Sequence, residues 1–207
     1  MIDFRLYLVT DRRLAVSRSL EDVVGDACRA GVRAVQLREK DLDARSLLDL
    51  AARTRRITSS SDTALLINDR VDIALACGAG GVHCPEAGFP PADARRVFGE
   101  GAIVGVSTHS LGAALDAKKN GADFITFGPI FDTPSKTKYG APLGLGALRD
   151  VTSAVRLPVF AIGGITPERA RSCLDYGARG VAVISAVLGA PNIARAVGEF
   201  EQALGGL

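Results

Sequence analysis

The sequence predicts an α/β fold, a single-domain (βα)8 TIM barrel that extends over residues 1–207. Short apolar runs rich in β-branched residues alternate along the chain with amphipathic segments. Most of the short runs are continuously apolar, which is typical of parallel strands covered on both faces. A recurring order of helix end, glycine, small residue and strand start indicates a repeated strand-helix unit. Eight such units can close into a barrel.

The strands are predicted at Leu6–Thr10, Ala34–Leu37, Ala64–Ile67, Gly81–His83, Ile103–Val106, Phe124–Phe127, Val159–Ile162 and Gly180–Ile184. The helices are predicted at Leu20–Ala30, Ala44–Ser59, Asp69–Cys77, Pro91–Phe98, Leu111–Asn120, Leu145–Ala154, Pro167–Tyr176 and Ile193–Leu204. Asp43 and Thr166-Pro167 are typical of helix starts. Glycines typical of helix ends follow three of the helices, at Gly31, Gly121 and Gly177. No G-x-G-x-x-G motif follows the first strand, so an open doubly wound sheet is the less supported alternative.

Composition argues against several classes of function. The net charge is +2, and aromatic residues make up 5% of the chain with no tryptophan, so nucleic acid is not an expected partner. The most apolar run, Val181–Ala190, is about half the length that a bilayer requires, so no membrane partner is expected. The N-terminus lacks the features of a signal peptide, and we expect a cytoplasmic protein. The four cysteines form no CxxC motif and are predicted to be free thiols packed as small hydrophobic residues.

A long polar loop follows the predicted strand Phe124–Phe127. It contains Thr133, Ser135, Lys136 and Lys138, which supply the hydroxyl donors and cations that an anionic ligand needs. A loop of this length in a compact domain is either functional or a solvated connection. The loop by itself leaves both interpretations open.

Polar residues also follow the second predicted strand, at the end of a barrel where active sites lie. Alternation places Gln36, Arg38 and Lys40 on one side of the chain. Two cations there suit a phosphate or diphosphate, because Arg38 offers a planar fork and Lys40 a point charge. The alternative is a surface ion cluster between these cations and Glu39.

The third and fifth strands end in residues with two interpretations each. Asp69 could hold Mg²⁺, whereas Asn68-Asp69 could equally start a helix. His109 is a candidate acid, base or anion donor, and the neighbouring hydroxyl residues, Ser107 among them, could simply cap the next helix. His83 is predicted to be a satisfied core or rim histidine, because no second ligand lies at metal spacing.

Two short segments suggest a phosphate cradle. Gly163-Gly164 follows the seventh strand, and Ile184–Ala186 follows the eighth strand just before a short helical turn. The loops after strands seven and eight are where barrels commonly bind phosphate. A Gly-Gly pair is often only a tight turn, so the prediction of a phosphate site depends on where this pair lies in the chain.

Seven motifs together resemble the thiamin phosphate synthase family, over nearly the whole chain and in the family's order. They are L-Y-L-V-T-D at Leu6–Asp11, Q-L-R-E-K at Gln36–Lys40, I-N-D-R at Ile67–Arg70, G-V-S-T-H-S at Gly105–Ser110, F-G-P-I-F-D-T-P-S-K at Phe127–Lys136, A-I-G-G-I at Ala161–Ile165 and V-A-V-I-S-A at Val181–Ala186. The family includes a branch without synthase activity, the thiazole tautomerase. The resemblance implies a TIM-barrel transferase of thiamin biosynthesis, in which the nitrogen of a thiazole phosphate displaces diphosphate from hydroxymethylpyrimidine diphosphate.

The resemblance also implies a role for each matching residue. The pyrimidine diphosphate would be held by Gln36, Arg38, Lys40, Asn68 and Lys136. Mg²⁺ would bind Asp69, and Ser107 would lie near the leaving group. Thr133 and Ser135 would face the thiazole, and its phosphate would be held by Gly164, Ile184 and Ser185.

One position departs from the family pattern. After the fourth strand the synthases carry G-Q-x-D, whose Asp is the second metal ligand, whereas this chain has Gly88 at that position. Glu86 could replace that ligand through a water molecule. The Pro85-Glu86 sequence is closer to the tautomerase branch, which needs neither diphosphate nor metal and uses a histidine matching His109 for proton transfer.

The retained phosphate and metal residues favour the synthase over the tautomerase. Arg38, Lys40, Asp69 and Lys136 would have no use in a reaction without diphosphate or Mg²⁺. A third alternative is a non-catalytic barrel that senses thiamin precursors. The expected partners are small phosphorylated substrates, and the sequence leaves open whether the chain forms a homo-oligomer.

Overall fold

The computed structural model describes residues 2–15, 18–133 and 141–205 of the chain. Its strands are β1 (Leu6–Val9), β2 (Ala34–Leu37), β3 (Ala64–Asn68), β4 (Gly81–Cys84), β5 (Ile103–Thr108), β6 (Phe124–Phe127), β7 (Val159–Ile162) and β8 (Gly180–Val183). They pair in parallel in sequence order, and β8 pairs with β1. This closure confirms the (βα)8 TIM barrel and excludes the open sheet.

Helices cover the outside of the barrel. They are α1 (Leu20–Arg29), α2 (Ala44–Ser59), α3 (Val71–Ala76), α4 (Pro91–Phe98), α5 (Leu111–Lys119), α6 (Gly144–Val155), α7 (Pro167–Asp175), α8 (Ser185–Leu188) and α9 (Ile193–Ala203), with a 3-10 turn at Arg12–Leu14. The predicted bounds of strands and helices are confirmed to within two residues. No helix of the described segments is long and apolar enough to cross a membrane.

Local signals in the sequence explain where the helices begin. The Asp43 side chain accepts the N–H of Ser46 at 2.9 Å at the start of α2. Thr166 accepts the N–H of Arg169 at 3.4 Å at the start of α7, where Pro167 occupies the first turn. Both caps satisfy backbone donors that the first helical turn leaves unpaired. The three glycines predicted to end helices all have positive φ: Gly31, Gly121 and Gly177.

Apolar side chains pack in two layers. The outer layer lies between strands and helices and includes Cys28, Cys84 and Cys173, which are buried and free, as predicted; Cys77 is also free and packs against this layer but is only partly buried. The inner layer fills the barrel with the rings of Phe4, Tyr7, Phe124 and Phe160, whose centroids lie 5.0–6.1 Å apart. Burying one such ring contributes about 1.5–3 kcal/mol. The interior at the N-terminal end of the barrel is therefore a packed plug of aromatic rings.

The C-terminal ends of the strands surround one opening, which we call the barrel mouth. It is lined by residues at or just after the ends of five strands: Arg38, Asn68, Ser107, Gly164 and Ile184. Parallel closure brings these positions together although they are far apart in sequence. Barrels of this kind carry their active sites at this end.

Candidate active site

Two cations stand at the barrel mouth and form no salt bridge with a described residue. Arg38 is half-buried and Lys40 is exposed. Across the described ranges, neither side chain forms an ion pair or a hydrogen bond. Glu39, between them in sequence, is buried and bonded elsewhere, so the alternative of an ion cluster with Glu39 is wrong. The two cations are therefore available to an anionic ligand.

Thr10 explains why Arg38 and Glu39 point in different directions. Its hydroxyl donates to Glu39 Oε1 at 2.6 Å and accepts the backbone N–H of Arg38 at 2.9 Å. The Glu39 carboxylate also accepts the Arg12 backbone N–H at 3.1 Å and the Arg12 guanidinium at 3.2 Å. Arg12 in turn makes two bonds to Asp41, at 2.6 and 2.8 Å, and these hold the pKa of Asp41 down at about 2. This network ties the chain after β1 to the chain after β2 and fixes the backbone at Arg38.

Asp69 lies at the mouth in the left-handed conformation, with φ of 64°. The helix begins at Val71, and Arg70 before it makes no side-chain cap bond. The alternative that Asn68-Asp69 starts a helix is therefore wrong. The backbone N–H of Asp69 donates to the His83 carbonyl at 2.9 Å, and its exposed carboxylate pairs with no cation of the described residues. Positive φ is uncommon outside glycine and is often retained where a functional side chain must be aimed.

The donor set around Asp69 fits a magnesium ion only in part. A Cβ at Gly88 would lie 2.8 Å from Asp69 Oδ1, so the position that lacks the second carboxylate directly adjoins the first. Glu86 accepts the backbone N–H of His109 at 2.8 Å and so already has a partner. In the described part of the chain, no three His, Cys, Asp or Glu side chains are grouped to hold a metal. Since Mg²⁺ often uses one carboxylate plus substrate phosphates, Asp69 fits the ion once a phosphorylated ligand is bound.

His83 is buried, as predicted, and both of its ring nitrogens have partners. The Tyr7 hydroxyl lies 3.3 Å from Nδ1, and Ser107 Oγ lies 3.0 Å from Nε2. Burial, and to a smaller extent the charge of Arg38, lowers the pKa of His83 to about 3. The imidazole is therefore neutral at physiological pH, and Ser107 is held at the mouth by a neutral partner.

His109 is exposed at the start of the loop after β5. Its Nδ1 lies 2.5 Å from the Gly128 carbonyl oxygen. Because a carbonyl can only accept, Nδ1 carries the hydrogen, and Nε2 of the neutral ring is left with a lone pair. Helix α5 is capped by Ser110, which accepts the N–H of Ala113 at 3.1 Å, so Ser107 does not serve as its cap.

The loops after β7 and β8 meet at the mouth. Ile162 of β7 pairs with Ala182 of β8. Gly164 follows Ile162 by two residues and Ile184 follows Ala182 by two residues, so the two lie at matching positions. Gly164 has φ of 64°, and a Cβ there would lie 2.5 Å from the Asp132 backbone oxygen. The glycine therefore permits close contact with the loop after β6, which is more than a tight turn requires. Ser185, which begins α8, is exposed at this end.

The loop after β6 is anchored to β7 by its backbone. Ile130 N–H donates to the Ile162 carbonyl at 2.9 Å, and Phe131 N–H donates to the Gly163 carbonyl at 3.1 Å. The Arg169 guanidinium lies 4.7 Å from the centre of the Phe131 ring. These contacts fix the backbone of the loop just before Thr133. Three residues predicted to bind ligand from this loop lie outside the described residues: Ser135, Lys136 and Lys138.

Sequence reasoning missed three residues that shape the site. Thr10 and Arg12 hold Glu39 away from the mouth, and Tyr7 reaches His83 across the barrel interior. A signal for Tyr7 was present, because a phenol in a strand buried on both faces needs a hydrogen-bond partner. The Thr10 and Arg12 contacts had no such signal, because their partner Glu39 is 29 and 27 residues away.

A family model described as thiamine monophosphate synthase matches residues 6–187. The chain belongs to this family. A thiamine-phosphate synthase of Roseiflexus castenholzii is 46% identical over 187 residues, which make up 90% of this chain and 82% of that protein. A thiamine-phosphate synthase of Clostridium novyi is 40% identical over 187 residues, covering 90% of this chain and 92% of that protein.

A solved structure of the family has the same fold. Thiamine phosphate pyrophosphorylase from Pyrococcus furiosus is 36% identical to this chain, with a TM-score of 0.87. The match covers 97% of this chain and 95% of that one. The similarity to this family therefore includes the barrel fold and extends over nearly the whole chain.

Proposed function

We propose that this protein is a thiamin phosphate synthase-type transferase that joins hydroxymethylpyrimidine diphosphate to a thiazole phosphate. The thiazole nitrogen forms a bond to the pyrimidine methylene carbon, the bond from that carbon to diphosphate breaks, and its electron pair leaves with diphosphate. The observation that carries the proposal is a pair of cations, Arg38 and Lys40, that form no salt bridge with a described residue and lie at the mouth of a barrel of this family. We place the reaction in the cytoplasm.

The diphosphate side of the mouth would be formed by β2, β3 and the loop after β6. Arg38 and Lys40 neutralise the negative charge that grows on the leaving group, and Gln36, Asn68 and Lys136 complete the binding of the pyrimidine diphosphate. A transition state in which diphosphate departs early needs positioning and charge stabilisation more than it needs a base. Ser107, held by His83 at 3.0 Å, offers a hydroxyl near the leaving oxygen.

The thiazole phosphate would occupy the opposite side of the mouth. In this proposal Thr133 and Ser135 would face the ring, and the phosphate would lie against Gly164, Ile184 and Ser185. The close approach of Gly164 to Asp132 supports this assignment. It packs the loop after β7, which would hold the phosphate, against the loop after β6, which would face the thiazole, so that the two loops form one rigid wall of the mouth. Such a wall would fix the attacking nitrogen relative to the methylene carbon.

The proposal includes a magnesium ion, which Asp69 would bind. When bound, the ion supplies positive charge that stabilises diphosphate as a leaving group. The chain's own contribution is one carboxylate, aimed by the left-handed backbone at Asp69 and unpaired in the described structure. Gly88 offers no second side-chain ligand, so the substrate's phosphate oxygens must complete the ion's coordination.

A second candidate function, thiazole tautomerase, is favoured by the geometry of His109. The Gly128 carbonyl holds the Nδ1 hydrogen, and the lone pair on Nε2 can accept a proton from a thiazole precursor. Glu86 fixes the backbone of His109 at the same time. This arrangement suits proton transfer and uses neither diphosphate nor metal.

One assay separates the two candidates. Purified full-length protein is given hydroxymethylpyrimidine diphosphate and thiazole phosphate, with and without Mg²⁺, and thiamin phosphate is quantified. Mg²⁺-dependent product supports the synthase. No product from folded protein that binds thiazole phosphate contradicts the synthase, and His109→Asn then tests the tautomerase through loss of thiazole aromatisation.

A further inference from the structure

A row of polar side chains crosses the barrel interior beneath the mouth. Tyr7 and His83 are fully buried, and Gln36 is nearly so. The Gln36 side chain lies beside Tyr7 and acts to lower the pKa of its phenol. The Tyr7 hydroxyl lies 3.3 Å from His83 Nδ1, and His83 Nε2 lies 3.0 Å from Ser107 Oγ. These groups link strands β1, β2, β4 and β5 and end at a residue of the mouth.

The chemistry of each group fixes the direction of the hydrogen bonds. Tyr7 is fully buried, and among the described residues the side-chain group in hydrogen-bond contact with its hydroxyl is His83 Nδ1; a buried hydroxyl rarely leaves its hydrogen without an acceptor. The phenol therefore has its own hydrogen to give, and His83 Nδ1 is the acceptor next to it. A neutral imidazole that accepts at Nδ1 carries its hydrogen on Nε2. His83 then donates to Ser107 Oγ, and the Thr126 hydroxyl lies 3.5 Å from both Ser107 Oγ and His83 Nε2.

Two features keep the phenol and the imidazole uncharged and in place. Burial raises the pKa of Tyr7, so the phenol keeps its hydrogen, and burial lowers the pKa of His83, so the ring stays neutral. Gly105 also leaves space for the ring, because a Cβ there would lie 2.6 Å from His83 Nδ1 and 2.4 Å from Phe124 Cζ. The imidazole is thus neutral and held in one place, next to the Tyr7 hydroxyl.

We propose that Tyr7 and His83 are positioning residues that make Ser107 a hydrogen-bond donor toward the barrel mouth. Ser107 Oγ accepts from below, so its own hydrogen is directed to a ligand above it. In the proposed synthase reaction, on which this inference rests, that hydrogen stabilises the oxygen of the departing diphosphate. With the opposite tautomer of His83, Ser107 would donate to Nε2 and present a lone pair to that same oxygen.

The test variant is Tyr7→Phe, which keeps the ring but removes the hydrogen given to Nδ1. Tyr176→Phe is the matched control, because it removes a phenol from the end of α7, in the outer helical layer. The tautomer of His83 is read from ¹⁵N shifts in long-range ¹⁵N–¹H NMR spectra. Turnover is read as kcat and KM separately.

Wild type and Tyr176→Phe should show the Nε2–H tautomer. Tyr7→Phe should lose this preference, and its kcat should fall about tenfold to a hundredfold while KM for thiazole phosphate stays the same. If Tyr7→Phe does not fold, His83→Gln should retain most turnover and His83→Leu should not, because only the amide can donate to Ser107.

Two results would overturn the inference. One is an Nδ1–H tautomer in the wild-type protein. The other is unchanged kcat in Tyr7→Phe although the tautomer preference is lost. A wild-type protein that forms no thiamin phosphate would instead count against the proposed function, and the tautomer measurement would still decide the hydrogen-bond direction.

Discussion

At the scale of single residues, the chemistry of the mouth depends on which charged side chains form no ion pair with a described residue. Arg38 and Asp69 are charged groups at the mouth that pair with no described residue, whereas Glu39 is bonded to both Arg12 and Thr10. Burying or orienting an unpaired charge costs free energy in the absence of a ligand. These residues are therefore where substitutions should affect chemistry more than folding.

Arg38→Gln should lower kcat/KM for hydroxymethylpyrimidine diphosphate about 30- to 150-fold, equal to about 2–3 kcal/mol of transition-state binding. The reason is the loss of a charge-assisted bond to the leaving group. Arg33→Gln is the control, because Arg33 precedes the same strand at the opposite end of the barrel and pairs with Asp62. Steady-state kinetics of both variants checks the prediction, and equal losses in the two would refute a specific role for Arg38.

Asp69→Asn should raise the Mg²⁺ concentration needed for half-maximal activity by about tenfold or more, because the chain supplies one carboxylate to the ion. Wild type should itself need more Mg²⁺ than a site with two carboxylates would. The measurement is a Mg²⁺ titration of turnover at saturating substrates. The same Mg²⁺ dependence in wild type and Asp69→Asn would place the ion elsewhere.

His109→Asn separates the two candidate functions at one residue. For a synthase, the variant should keep thiamin phosphate formation within about threefold, because the reaction needs no base at Nε2. For a tautomerase, it should abolish thiazole aromatisation. Both reactions are measured on one protein preparation, and a complete loss of thiamin phosphate formation would contradict the proposed placement of His109 outside the synthase chemistry.

At the scale of elements, the strand and helix bounds followed from the sequence because each signal is local. Continuous apolar runs mark the strands, and residues such as Asp43 and Thr166 mark helix starts through bonds to backbone three residues away. Asp69 was harder to predict. Its left-handed backbone depends on a bond from its N–H to the His83 carbonyl of the neighbouring strand, which the sequence does not reveal.

The contact between the loops after β6 and β7 gives a prediction at this scale. Gly164→Ala should destabilise the fold by about 1–3 kcal/mol and raise KM for thiazole phosphate, because the new Cβ meets Asp132 O and the backbone has positive φ. Gly198→Ala, in the exposed part of α9 with nothing near its Cβ, should instead stabilise by about 0.5–1 kcal/mol. Urea unfolding and substrate kinetics check both changes, and destabilisation by both would contradict the account.

At the scale of the whole molecule, the barrel separates a packed interior from a reactive mouth. Their boundary is the polar row through Tyr7, His83 and Ser107. The sequence predicted His83 as a satisfied core residue but not its partners, because Tyr7 is 76 residues away and Ser107 is 24. Likewise, the family motifs identified Arg38, but only the fold shows that Glu39 is turned away from it.

The buried histidine makes stability depend on pH. In the unfolded chain its pKa is about 6.5, and in the folded protein it is about 3. Below pH 6.5 this histidine binds a proton in the unfolded chain but stays neutral in the folded protein. Its contribution to the free energy of unfolding is therefore complete above pH 6.5 and decreases as the pH falls toward 3. Between pH 6.5 and 4.5 the loss should be about 2–3 kcal/mol.

Unfolding free energies at these two pH values, for wild type and His83→Gln, check this expectation. Glutamine has no proton to take up, so the variant should lose about 2 kcal/mol less than wild type over the same interval. Equal losses in the two proteins would mean that other groups control acid unfolding and that His83 is not confined as described.

The central claim is that this barrel joins two phosphorylated substrates at its mouth. The most direct measurement quantifies thiamin phosphate and diphosphate together, from full-length wild-type protein supplied with both substrates and Mg²⁺. The account predicts equal amounts of the two products, formed only when both substrates are present. Diphosphate release without thiamin phosphate, or aromatisation of a thiazole precursor as the sole activity, would contradict it.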